Sequence, residues 1–265
     1  MSGLSNLPTA LVTGASSGIG AVYAERIAAR GHDLILVARD RQRLEALAAD
    51  LQARHGVNVE VLPADLAKSA DVDRVDERLR IDKAIGVLVN NAGIAMHGTL
   101  AEATAAQIES LVALNIVALT RLASAAAVQF GNAGRGTIIN LASVVALAPE
   151  MFNAVYSASK AYVLSLTQTL NGELKDKGVQ VQAVLPGITR TEIWERSGLD
   201  VAHIDPQMVM EVGDMVDAAL SGLDSQESVT IPSLPDVAQW QAFIKARDAL
   251  RPNLSRSSAA ARYLQ

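Results

Sequence analysis

Short apolar runs alternate along the chain with longer stretches whose apolar residues recur every three to four positions. The runs ALVTG near Ala10, DLILVA (33–38), VNVEVLPAD (57–65), IGVLVNNAG near Ile85, GTIINLAS (136–143) and VQVQAVLPG (179–187) predict strands. Between them GIGAVYAERIAARG, RQRLEALAADLQARHG and SADVDRVDERLR read as helices, the first two ending at Gly31 and Gly56, residues suited to a left-handed cap. Strands separated by helices imply parallel crossovers, and the near-continuous apolarity of the runs implies burial on both faces. The predicted architecture is a Rossmann-type α/β/α fold, a doubly wound parallel sheet between two helical layers. Later, DPQMVMEVGDMVDAALSGL reads as a helix, ESVTIPSLPD as a last strand and PDVAQWQAFIKARDALRPN as an added amphipathic helix. The end, SRSSAAARYLQ, is either a frayed tail or a partner contact.

The 265 residues, half of them hydrophobic, suffice for one α/β domain, with 188–205 as a segment over the substrate and 236–265 as a C-terminal extension. A net charge of -5 argues against a broad basic surface for nucleic acid or anionic lipid. With no cysteine there are neither disulfides nor thiolate metal sites, and His, Asp and Glu show no ligand-like clustering. The first residues, MSGLSNLPTA, lack the features of a signal peptide, and no apolar run nears the roughly 18 residues of a membrane helix. A cytoplasmic protein without a catalytic metal is expected.

In a parallel sheet, ligands bind beyond the carboxyl ends of the strands. After the first strand comes TGASSGIG, in which Gly14 permits a tight turn, Gly18 a close backbone approach to pyrophosphate, and Gly20 tight helix–strand packing. After the second strand, Ala38 holds the place where an acid would bind a ribose 2′-hydroxyl. Arg39 follows, with Arg43 one turn on, and a guanidinium fork suits a 2′-phosphate. The alternative is ion pairing of these arginines with Asp40 or Glu45. NADP(H) is therefore expected in preference to NAD(H), which Asp40 keeps open.

With TGASSGIG, NNAG, Ser143, YSASK and PGITRT in that order, the chain resembles the short-chain dehydrogenase/reductases from about Leu7 to Thr191. The resemblance implies that Gly14, Ser16, Ser17, Gly18, Ile19 and Gly20 bind pyrophosphate. It places Asp65 and Leu66 at adenine, Asn91, Ala92 and Gly93 along the adenosine ribose, and Pro186, Gly187, Ile188 and Thr191 near the nicotinamide carboxamide. The basic residue that strengthens NADP preference in some members is replaced by Ser17, which leaves that selectivity to Arg39. Asn115, Ser143, Tyr156 and Lys160 match the family's catalytic tetrad, and the usual dimer or tetramer is expected.

Residues 152–175 read as one helix, which puts Tyr156 and Lys160 on one face at i and i+4. A free phenol titrates roughly three units above neutrality, so favouring phenolate there takes about 4 kcal/mol, much of which a shielded ammonium could supply. Ser143, ending the fifth run, is placed to donate to a substrate oxygen. Asn115, polar within LVALNIVALT, needs buried partners, and a water shared with Lys160 would give a proton path. Tyr156 is thus the expected general acid and base for hydride transfer between NADP(H) and a small-molecule substrate, a ketone or secondary alcohol with a hydrophobic portion or a 3-hydroxy acid, and binds the cofactor together with Lys160. A non-catalytic NADP(H) sensor would not need Ser143, Tyr156 and Lys160 together; an epimerase or dehydratase would retain its cofactor. Substrate-facing positions are expected at Met96, His97, Val144, Val145, Glu150, Met151 and Phe152. Ile193 and Trp194 belong to the covering segment, Trp194 either closing the pocket or packing its own loop.

Overall fold

A computed structural model describes residues 7–197 and 204–264, with the side chains of 194–196 outside the description. The chain divides into two compact units that meet in sequence at Pro232 and Ser233.

The first unit begins with β1 (Thr9–Thr13), α1 (Gly18–Ala29), β2 (Leu34–Ala38), α2 (Arg41–His55), β3 (Val59–Pro63), α3 (Ser69–Ile81) and β4 (Ile85–Asn90). There follow α4 (Ala105–Val112), a π-helical turn (Ala113–Ala118), α5 (Leu119–Ala133), β5 (Gly136–Leu141), α6 (Ala154–Leu174) and β6 (Val179–Val184). It ends with α7 (Glu192–Ser197), α8 (Val212–Asp224) and β7 (Val229–Thr230). All strand pairings are parallel, in the order β3-β2-β1-β4-β5-β6-β7. Chain direction across the sheet reverses between β1 and β4, and a crevice opens at such a point.

The pleat sends alternate residues to opposite faces. Ala10, Val12, Leu34 and Leu36 pack with Tyr23, Ile27, Leu44 and Met215 of α1, α2 and α8. Leu11, Ile35 and Val37 pack with Val75, Leu79, Leu122, Phe130 and Leu170 of α3, α5 and α6. Burying each such side chain contributes about 1.5–3 kcal/mol, so covering both faces stabilises the sheet and leaves only its ends for chemistry.

Most element boundaries match the pattern within two residues. α6 starts later than expected because Asn153 caps it, its Oδ1 accepting from the N–H groups of Val155 and Tyr156 at 3.0 and 3.1 Å. The helix expected from Asp205 is shorter: Pro206–Met208 forms a 3-10 turn, and Met210 bridges Thr189 before α8 begins. Residues 198–203 of the expected covering segment lie outside the described residues, as does the Trp194 side chain.

One expectation needs correction. Through its π turn, Ala105–Ala133 forms one helical stretch long and apolar enough to cross a membrane by length and composition alone. Leu111, Leu119, Leu122 and Phe130 from it are buried within the fold.

The second unit contains α9 (Val237–Asp248), capped by Asp236, whose carboxylate accepts from the Ala238 N–H at 2.8 Å. Trp240 and Phe243 stack one turn apart, with centroids 5.4 Å from each other.

Phe130 is fully buried on α5, and a Cβ on Gly136 at the start of β5 would lie 2.5 Å from its ring. Phe130→Ala is expected to cost about 3–5 kcal/mol in guanidinium unfolding; a loss under about 1 kcal/mol would contradict this packing.

Candidate active site

At the β1–β4 reversal, TGASSGIG leads from the end of β1 into α1. Gly14 takes φ +68°, and a Cβ there would stand 2.7 Å from Asn91 Nδ2. A Cβ on Gly20 would collide with the Gly14 carbonyl. These positions let the loop press against the Asn91 segment. Thr13, fully buried, ties the two together: its hydroxyl accepts from the Asn91 and Ala92 N–H groups at 2.9 and 3.0 Å and donates to Val89 O at 3.2 Å. The Asn91 amide returns a bond to Thr13 O at 2.9 Å. The sequence reading assigned Thr13 no role, although a polar residue at the buried end of an apolar strand was its signal.

A cavity of about 710 Å³ opens here. Gly14, Ser16, Ser17, Gly18, Ile19, Arg39, Asp65, Leu66, Asn91, Ala92, Gly93 and Thr191 all line it. Gly20, Pro186, Gly187 and Ile188 do not. Gly20 is a packing position, while Pro186 O accepts from Val144 N at 3.0 Å and Ile188 O from Met210 N at 2.9 Å. Asp65 is engaged with its own turn, its Oδ1 accepting from Ala67 N at 3.2 Å.

The two arginines differ. Arg39 is exposed on the cavity wall and forms no ion pair with the described residues. Arg43 lies 3.5 Å from Asp40 and 3.0 Å from Glu192 at the start of α7. Glu45 is taken by Arg41 instead. The Glu192 contact, between residues 149 positions apart, could not be read from local spacing.

Ser143, Tyr156 and Lys160 do not line the cavity; they are buried together at 7%, 5% and 7% exposure. The Tyr156 ring packs with Met96, Leu111 and Val145, and Phe152 meets it edge-on at 5.4 Å. Met96 and Leu111 also line the cavity, so the cluster adjoins it. The Ser143 hydroxyl lies near enough to the Tyr156 phenol to favour its charged form. Ser143 Oγ also approaches Pro186 O at 3.3 Å. Lys160 Nζ donates to Leu141 O at 2.8 Å and stands 5.6 Å from the centre of the tyrosine ring.

Burial dominates the electrostatics. It pushes the Tyr156 phenol up to about 12, a rise only partly opposed by the nearby Ser143 hydroxyl. It pulls Lys160 down to about 8. The expectation that the ammonium depresses the phenol is therefore not met in the protein alone: desolvation penalises both charged forms.

Asn115, within the π turn, is 1% exposed. Its Oδ1 accepts from Ile94 N at 2.9 Å, and its Nδ2 donates to Ile94 O at 2.9 Å and Ser159 Oγ at 3.3 Å. Those bonds give both ends of the buried amide a partner. A Cβ on Gly93 would stand 3.2 Å from Asn115 Oδ1, so the clamp also shapes the segment lining the cavity. Ser159 passes the tie on, donating to Tyr156 O at 2.7 Å. Asn153 also acts beyond its cap, its Nδ2 donating to Gly98 O at 2.6 Å. Of the expected substrate-facing residues, Met96 and His97 line the cavity and Val145 and Phe152 pack at Tyr156. Val144, Glu150 and Met151 do not line it, and Glu150 and Met151 are exposed on a 3-10 turn.

The sequence profile of the short chain dehydrogenase family matches residues 8–201. The chain belongs to this family. Among solved structures, a short-chain dehydrogenase from Sphingobium yanoikuyae in complex with NADPH is 55% identical, with a TM-score of 0.94 over 97% of this chain and 100% of that one. A bulky-bulky ketone specific alcohol dehydrogenase from Comamonas testosteroni is 47% identical, with a TM-score of 0.91 over 98% and 100%. The 17-beta-hydroxysteroid dehydrogenase type 3 of Rattus norvegicus is 31% identical over 67% of this chain. This chain spans 58% of the length of that relative.

Burying Lys160 has a testable cost. Folded, it titrates near 8 against an ordinary 10.5, so between these values the unfolded chain binds more protons and stability rises with pH. The unfolding free energy of the wild type, minus that of Lys160→Met, should climb by up to about 3 kcal/mol across this window. Denaturant titrations through that range check it; a flat difference would mean the lysine is not desolvated.

Proposed function

We propose that the protein is an NADP(H)-dependent oxidoreductase that interconverts a ketone and a secondary alcohol, with Tyr156 as general acid and base. The observation that carries this is the joint burial of Ser143, Tyr156 and Lys160, with Nζ 5.6 Å from the tyrosine ring, in a cluster that shares Met96 and Leu111 with a glycine-walled cavity. The cavity suits a dinucleotide: Gly14, Gly18 and Gly93 bring bare backbone to its wall, and the α1 amides favour an anion. The loop from Gly14 to Gly20 would hold pyrophosphate, Arg39 and Arg43 a 2′-phosphate, Asp65 and Leu66 adenine, and Asn91, Ala92 and Gly93 the ribose. Pro186, Gly187, Ile188 and Thr191 would bound the nicotinamide end. Bound there, the nicotinamide supplies or accepts the hydride.

In reduction Tyr156 gives its proton to the carbonyl oxygen while Ser143 orients and polarises that oxygen. A phenol at about 12 is fully protonated at neutral pH, the state this step requires. In oxidation Tyr156 must take a proton, and a positive charge on Lys160 favours the phenolate. Lys160 also serves as the grip on the nicotinamide ribose. Asn115, through the π turn, supports a proton relay to Lys160.

The substrate is proposed to be a ketone carrying bulky groups, or the matching alcohol. The Comamonas relative's stated specificity supports this, as do the cavity residues Met96, Leu111, Leu114 and Ile193. A homo-oligomer is also proposed, since Val117, Val128 and Tyr162 expose apolar surface on the π turn, α5 and α6. Ser143, Tyr156 and Lys160 clustered together favour this reading over a non-catalytic sensor.

Wild-type protein should oxidise NADPH stoichiometrically with one or more aryl or branched ketones. Tyr156→Phe should retain NADPH binding yet lower kcat at least about a hundredfold, within the usual range for a lost general acid. Turnover surviving in that variant would reject the assignment.

A further inference from the structure

Arg43 lies in the first turn of α2, and Glu192 opens α7. Nη1 of Arg43 donates to both Glu192 carboxylate oxygens, at 3.1 and 3.0 Å. Its Nε lies 3.5 Å from Asp40. Arg39, Asp40, Arg43, Thr191, Glu192 and Ile193 all line the cavity, so the ion pair links the rim built after β2 to the rim built after β6. Arg43 is thereby held by carboxylates on both sides, while its neighbour Arg39 forms no ion pair with the described residues.

A 2′-phosphate bound at this rim needs guanidinium donors and is repelled by a carboxylate on the same fork. The Glu192 pair is about half exposed, with side chains at 48% and 42%, and pairs of this kind are weak enough for a phosphate dianion to displace. We infer that Glu192 is a specificity-determining residue that competes with the cofactor 2′-phosphate for Arg43. A dinucleotide carrying that phosphate frees α7 from α2, whereas one lacking it leaves the tie in place. Selectivity for NADP(H) is then lower than the two arginines alone would give, and the position of α7, with Ile193 beside the substrate, depends on which dinucleotide is bound. This inference rests on the NADP(H) reading above.

The test uses the full chain and two probes differing only in the 2′-phosphate, adenosine 2′,5′-bisphosphate and 5′-AMP, with affinities measured by calorimetry. Wild type should prefer the bisphosphate. Glu192→Gln should tighten the bisphosphate roughly three- to tenfold and leave 5′-AMP unchanged, while Glu192→Asp, which keeps the charge, should stay within about twofold of wild type. In an Arg43→Ala background, Glu192→Gln should give no gain. An unchanged or weakened bisphosphate affinity in Glu192→Gln would overturn the inference, as would equal tightening of both probes. If wild type fails to discriminate the probes, the NADP(H) reading falls and takes this inference with it. Discrimination that persists without any effect at position 192 overturns the role of Glu192 alone. Thermal unfolding verifies that each variant is folded, and Glu192→Ser provides a second neutral variant with the same expected direction.

Discussion

A lysine ammonium held inside the protein is the constraint around which the site is organised. Lys160 is nearly inaccessible, and its described hydrogen bond goes to the carbonyl of Leu141 at the last residue of β5. An ion placed this way requires fixed dipoles around it, because desolvation disfavours its charge. Strand and helix must therefore keep their register. Asn140 on β5 donates to Thr167 on α6 at 3.0 Å, two turns beyond Lys160, and pins the pair. The Asn153 cap fixes where α6 begins and hence the angle at which Tyr156 enters the interior. Ser143, just past β5, is carried to the tyrosine by the same strand end.

The dinucleotide-type cavity and this cluster are separate spaces joined by short polar ties. Thr13 locks the end of β1 to the Asn91 segment, and three residues on, Ile94 is gripped by Asn115. From Asn115 the path continues through Ser159 to the backbone of Tyr156. The π turn carries Asn115 within the locally apolar run LVALNIVAL, a local irregularity of the sort that recurs at functional sites. A path of hydrogen bonds and short backbone links thus runs from the glycine loop to the backbone of Tyr156.

Much of this was legible in the residues because it depends on local period. Strands such as LILVA carry their own signal, and YSASK places a phenol and an amine on one helix face whatever surrounds them. Ser143 followed from its position at a strand end. What escaped is non-local. Nothing near Arg43 announces Glu192, and the pairing of Asn115 with a backbone amide in a distant loop has no period. The protonation balance escaped for a different reason. Charge proximity can be guessed from i and i+4 spacing, but desolvation depends on everything packed around the pair, here Met96, Leu111, Val145 and Phe152. The resemblance of the motifs to a known family gave the fold and suggested the tetrad. It did not indicate that the phenol rests well above its ordinary value.

In the proposed reaction Tyr156 is held protonated by burial and brought into range by positive charge beside it. An NMR titration of the tyrosine Cζ resonances, with Tyr156 assigned by its loss in Tyr156→Phe, measures this directly. The phenol should titrate near 12 in the protein alone and fall by at least about one unit when the oxidised dinucleotide is bound, since a cation nearby favours the phenolate. A value close to that of free tyrosine in both states would show that neither burial nor charge governs this hydroxyl, and would contradict the proposed role of Tyr156 as the proton donor.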